Sequence, residues 1–190
     1  MSHRIVMSIQ KQIPVILLMW VSFTLTAAER DHAKQLMTSQ ATWKTAKSDC
    51  RGNYSYTVTT VSFTGYRTTT TITVVNNKVH QRKFEAFSAR AIAPPIKPGE
   101  KPRPRTAQTT WIETHKTLGS HKSGAHPVTM DTLYQQAHEV IQRDLAPHEK
   151  RYVRFFENGL LKSCFYIDTR IADDSPQNGV SITTITLMKN

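Results

Sequence analysis

The stretch YVRFFENGLLKSCFYIDTRIADDSPQNGVSITTITL, residues 152–187, decides the fold. Tyr152 to Phe156 and Leu160 to Asp168 are rich in aromatic and branched side chains. The Asn158-Gly159 pair between them accepts the positive φ angles of a tight hairpin turn. In the second run Leu161, Phe165 and Ile167 fall on one face and Leu160, Cys164 and Tyr166 on the other, so both faces are expected to be covered. A polar loop, Ala172 to Gly179, then leads to a third expected strand, Val180 to Leu187.

Upstream of this hairpin lies the clearest helix of the chain. Met130, Leu133, Tyr134, Ala137, Val140, Ile141 and Leu145 form one apolar stripe, Thr129 is a good N-cap, and Val128 and Leu133 have the spacing of a hydrophobic staple. Ala146-Pro147 is expected to stop it. Before it, Leu118 to Pro127 reads as a loop and Gln108 to His115 as a strand with Trp111 inward. Tyr54 to Phe63 alternates as a strand, and the turns Thr64-Gly65-Tyr66-Arg67 and Asn76-Asn77-Lys78 connect it to Thr68–Val75 and Val79–Phe87 as a meander. Four threonines in a row, Thr68 to Thr71, would suit a flat hydroxyl surface for ice or glycan, but the ordinary strand preference of threonine accounts for them more simply. Asp31 to Ser48 carries Ala33, Leu36, Met37, Trp43 and Ala46 at helical spacing. The expected architecture is α+β: an antiparallel sheet backed by two amphipathic helices, in the order α-βββ(β)-α-βββ. A duplication would produce that order, although the halves share no persuasive identity.

Residues 1–28 read as a secretory signal peptide. Arg4 and Lys11 precede an apolar run from Ile13 to Leu25, and the small residues Thr26, Ala27 and Ala28 suit cleavage after Ala28. The run is short of the roughly 20 residues of a membrane helix, contains Pro14 and meets Glu29, Arg30 and Asp31 directly. Residues 29–190 are then a single secreted domain with no membrane span. In that compartment the two cysteines, Cys50 and Cys164, are expected to pair as one disulfide, worth about 4–5 kcal/mol in the chain-entropy model. A catalytic thiol is a poor alternative, because neither lies in a nucleophile's local sequence. Asn53-Tyr54-Ser55 is an N-glycosylation acceptor that a eukaryotic source would modify at Asn53.

The formal net charge is +11, and it is concentrated. Residues 78–122 hold ten Lys or Arg against three acids, Glu85, Glu100 and Glu113. Within them AIAPPIKPGEKPRPRT, residues 91–106, carries five of the nine prolines and the cations Lys97, Lys101, Arg103 and Arg105, so it reads as an extended surface loop. Two readings stand: a docking loop for polyanions, or, more simply, a solvated crossover between the two halves. The partners that fit a basic secreted domain are acidic polysaccharide or acidic matrix protein rather than nucleic acid.

No chemistry assembles in the sequence. Glu113, His115, His121 and His126 lie close together without the spacing of a zinc signature, and Asp173-Asp174 reads as a solvated turn. Nucleophile elbow, phosphate loop and dinucleotide fingerprint are missing, so no catalytic residues, cofactor or metal ligands are assigned. The expected function is a secreted, non-enzymatic binding or structural domain, such as an extracellular matrix component with affinity for anionic polymers. The alternative is an inhibitor of a protease or other hydrolase, by fold analogy alone. A hydrolase built on Glu113, His115 and His121 ranks third.

Several short motifs carry a resemblance. Tyr54-Ser55-Tyr56-Thr57-Val58, Asn76-Asn77-Lys78-Val79, Thr129-Met130-Asp131-Thr132-Leu133-Tyr134, Asn158-Gly159-Leu160-Leu161-Lys162-Ser163-Cys164, Ile171-Ala172-Asp173-Asp174 and Asn178-Gly179-Val180 together resemble a domain of unknown function. That domain occurs in bacterial exported lipoproteins and in secreted proteins of marine animals. The resemblance spans nearly the whole mature chain and implies a secreted α+β domain with no assigned activity. It also implies extra cysteines in the animal members near the Ala-Asp-Asp segment, where this chain has Ile171 and Ser175, and so the loss of a second disulfide here.

Overall fold

Two antiparallel sheets, not one, carry the strands of this α+β chain. The structure is a computed structural model that describes residues 27–87, 108–171 and 175–188. The signal-peptide reading up to residue 26, the basic loop 91–106 and Asp173-Asp174 lie outside the described residues. The first half comprises helix α1 (Ala27–Asp49) and strands β1 (Tyr54–Val61), β2 (Arg67–Val75), β3 (Lys78–Phe87) and β4 (Thr109–Thr114). The second comprises helix α2 (Met130–Gln142) and strands β5 (Glu149–Phe155), β6 (Leu161–Asp168), β7 (Asn178–Ser181) and β8 (Thr184–Leu187). A five-stranded sheet has the order β4-β3-β2-β1-β8, and a three-stranded sheet has the order β5-β6-β7.

The departure from a single sheet has a local cause. Val180 to Leu187, expected as one strand, breaks at Ile182 and Thr183. The Ile182 N–H donates to the Lys162 carbonyl in the small sheet, and the next N–H, of Thr183, donates to the Thr57 carbonyl in the large one. Two residues therefore carry the chain across, and burial of the Ile182 side chain pins the step. The turns are those the sequence announces: Asn76 and Asn77 have φ of 49° and 63°, and Gly159 has φ of 79°.

Both helices face one hydrophobic core. On α1, Leu36, Ser39 and Trp43 are buried, whereas Met37, expected in the stripe, is 64% exposed. Ser39 can be inside because its hydroxyl lies 2.8 Å from the Tyr134 hydroxyl, which also donates to the Ser39 carbonyl and accepts from the Leu161 N–H. One phenol thus joins α1, α2 and β6, and burial raises its pKa above the ordinary value. Helix α2 buries its predicted stripe, and the Thr129 side chain accepts from the Thr132 N–H as its cap. It ends at Gln142, with Arg143 already extended, so Leu145 lies beyond it and Pro147 is not its stop. Asp131, in its first turn, accepts from Trp43 Nε1 (2.9 Å) and Lys47 Nζ (2.8 Å) and fastens α1 to α2. From the inner face of β1, Tyr54 accepts from the Met130 N–H and Tyr56 donates to the Val128 carbonyl, which fixes where α2 begins.

The expected disulfide is not formed: Cys50 and Cys164 are both free and buried. Each sulfur is turned to its own helix. Cys50 Sγ faces the Lys47 carbonyl of α1, and Cys164 Sγ, at the centre of β6, faces the Ala137 carbonyl of α2, both at 3.5 Å. Burial pushes the Cys164 thiol up to about 11, so little thiolate exists at neutral pH. We expect the mature protein to keep its mass on reduction and its thiols to react with a disulfide reagent only after unfolding in guanidinium. A gain of two hydrogens on reduction would contradict this arrangement.

Candidate functional site

The inner face of the large sheet is divided between two covers. Tyr54, Tyr56, Ile72 and Val74 face the hydrophobic core, while Thr70, Arg82 and Phe84 lie under the loop that follows β4. Arg82 and Glu113 stand directly opposite each other on β3 and β4, with 1% and 0% of their surfaces exposed, and their charges meet at 3.0 Å. A buried pair is tolerable only when the remaining donors and lone pairs are also satisfied. Here the loop does that. Arg82 donates to the carbonyls of Ala125, His121 and Ser123. Glu113 accepts from the Gly119 and His121 N–H groups, the Ser120 hydroxyl and His121 Nδ1. Burial raises the pKa of Glu113, but these hydrogen bonds more than offset it and hold the carboxyl well below its ordinary range.

Gly124 permits the close approach. Its φ is +82°, and a Cβ there would meet Thr70 Oγ1 at 2.8 Å and Phe84 Cδ2 at 2.9 Å. Trp111, expected inward, is half-buried between Phe84 (4.9 Å) and His121 (4.1 Å), with Arg82 over its ring. Of the residues singled out for chemistry, Glu113 and His121 are brought together, whereas His115 leaves the group to stack edge-on against His80. Among the described residues no three His, Cys, Asp or Glu side chains converge on a metal position, and no helix is long and apolar enough to cross a membrane.

The fastened loop forms one wall of an open cleft of about 990 Å³ between the two sheets, through Ala125, His126 and Val128. The facing wall is the small sheet, with Tyr152, Arg154, Phe165 and Ile167. The third side is β1 from Val58 to Val61 with Ser62 after it, and the fourth is β7 with the residues that lead into it. No described residue of the lining is a carboxylate, and Arg154 is exposed with no ion pair or hydrogen bond among the described residues. Val61 (60% exposed) and Ile171 (44%) add apolar surface at the mouth. The chemistry on offer is that of binding: apolar walls, main-chain groups and a cation.

Lys97, Lys101, Arg103 and Arg105 belong to a segment that joins β3 to β4, which are adjacent antiparallel strands, so the connection is a hairpin loop and not the expected crossover between halves. Its exit is held where the Gln108 N–H donates to the Ala86 carbonyl. Asn53, at the start of β1, uses its amide oxygen to accept the Asn76 N–H, which ties the acceptor sequence to the β2–β3 turn. The cleft was not legible in the sequence, since its walls come from two sheets whose separation only the break at Ile182 creates. Comparison with family models, curated proteins and solved structures finds no match.

Glu113→Gln leaves Arg82 charged and unpaired inside the sheet and should cost about 3–5 kcal/mol in a denaturant titration. The wild-type contribution is present above the ordinary carboxyl value of 4.5 and lost as pH falls below it, because the unfolded chain takes up the proton first. The variant should therefore show a flatter acid limb; an unchanged acid limb would contradict the role of the carboxylate.

Proposed function

We propose that the chain is a secreted, non-enzymatic binding or structural domain that is retained on acidic polymers through its proline-rich basic loop. The observation that carries this reading is the length of the β3–β4 connection. Adjacent antiparallel strands can be joined by two residues, yet residues 88–107 intervene between Phe87 and Gln108. Connections much longer than the topology needs are commonly functional or linker segments. This one holds Arg90, Lys97, Lys101, Arg103 and Arg105 against the single acid Glu100. At its root Arg67 stands opposite Phe87, so a further cation lies beside the point of departure. The resemblance to a domain of exported proteins and the apolar leader support secretion and a place among extracellular matrix polymers, with acidic polysaccharide or acidic matrix protein as the partner.

Prolines keep such a segment extended and its cations apart, so binding would be the sum of several exposed contacts. Such contacts are screened beyond about 8 Å at physiological ionic strength, which makes the sum salt-sensitive. Replacing Lys97, Lys101, Arg103 and Arg105 together by serine should lower the salt concentration that elutes the mature protein from immobilised heparin. The melting temperature should hold, because a polar, proline-rich sequence of this kind contributes little to a core. Elution of the variant together with the wild type would refute the proposal.

A further inference from the structure

Strand β1 outruns its neighbour. It pairs with β2 along its whole length, to Val61 opposite Arg67, but with β8 only as far as Thr57 opposite Thr184. Among the described residues no strand lies on that side of Val58–Val61, and this stretch is the one that lines the cleft. The Thr183 N–H donates to the Thr57 carbonyl, which shows that the odd-numbered residues of β1 direct their main-chain groups to that side. Next along, the Thr59 N–H is met only by the Thr183 hydroxyl, and the N–H of Val61 then points into the cleft. A strand edge inside a walled groove is the arrangement by which extended peptides are taken up as added strands, with affinity from main-chain hydrogen bonds and selectivity from side-chain contacts at alternate positions.

We infer that the cleft binds an extended peptide segment of an acidic partner protein, added as a strand to the free edge of β1. Alternate residues of the guest meet the apolar wall of Tyr152, Phe165 and Ile167, and an acidic residue meets Arg154. Charge selects this occupant over two others. The chain's own loop at 91–106 would bring four cations toward Arg154 and five prolines, which have no N–H to give. A second copy would bring the same net charge of +11 in the full chain. This inference concerns a different surface from the heparin-binding loop and stands or falls separately from it.

Two fluorescein-labelled peptides of alternating valine and threonine, one ending in paired glutamates and the other in paired lysines, test it by anisotropy with the full mature chain. The glutamate peptide should bind saturably, and the lysine peptide at least about tenfold more weakly, equivalent to about 1.4 kcal/mol. Val61→Pro removes the N–H that faces the cleft and should weaken the glutamate peptide by a similar factor. Val61 is the exposed last residue of β1 and that N–H serves no internal strand pair, so the fold should hold. Arg154→Glu, an exposed substitution, should reverse the preference between the peptides. Absence of saturable binding by the glutamate peptide would overturn the inference. So would binding that Arg154→Glu abolishes but a folded Val61→Pro leaves intact, which is charge contact without strand addition. Binding that appears only after deletion of residues 91–106 would give the cleft to the chain's own loop and overturn it as well.

Discussion

Arg82 and Glu113 face each other across neighbouring strands with almost no access to water, and the rest of the molecule is arranged to make that tolerable. Two charges inside a sheet are costly unless every polar atom around them finds a partner. The chain supplies those partners from a single loop, residues 119–125, which gives carbonyls to the arginine and N–H groups to the carboxylate. That loop leads directly to Val128, where Tyr56 holds the main chain, and to Met130, where Tyr54 does the same. The position of α2, and through Tyr134 the position of α1 and β6, follows from where the loop is fastened.

The same fastening shapes the functional surface. Because the loop is drawn down onto β2 and β3, its far end stands as a wall of the cleft and does not fill it. The opposite wall exists because the last two strands part company at Ile182, one staying with the small sheet and the other joining the large one. A continuous final strand would have paired with one sheet only. The open edge of β1 is thus a by-product of how the chain closes its core, and it is placed where apolar side chains and Arg154, unpaired among the described residues, surround it.

Local signals in the sequence were faithful where local physics decides. The stripe from Met130 to Ile141 with Thr129 ahead of it is a capped helix, and the asparagine and glycine turns set the hairpins. Signals failed where a distant partner decides. Met37 reads as core and Ser39 has no place in the apolar stripe, but a hydroxyl that can reach Tyr134 goes inside and the methionine stays out. Glu113 reads as one of a loose group of chemical candidates with His115, His121 and His126, although it alternates in phase with Trp111 and so shares its inward face; the arginine that makes its burial tolerable lies 31 residues away. Cys50 and Cys164 read as a pair because composition says nothing of direction, and each sulfur points at its own helix. Residues 180–187 are apolar at 180 and 182 and again at 185 and 187, so the alternation changes phase at Thr183-Thr184, a shift that a single strand would not need and that falls where the chain steps between sheets.

The central structural claim is that β1 runs past its neighbour and leaves an edge open in a cleft held apart by the Arg82–Glu113 loop. Residue-resolved amide hydrogen exchange of the mature protein tests it most directly. Val58 and Thr60, opposite Thr70 and Thr68, should exchange slowly through their bonds to β2, and Val61, directed to the cleft, should exchange near the rate of an unprotected amide. Slow exchange at Val61, equal to that of Val58 and Thr60, would mean that another segment of the chain already pairs with this edge, and would contradict the account.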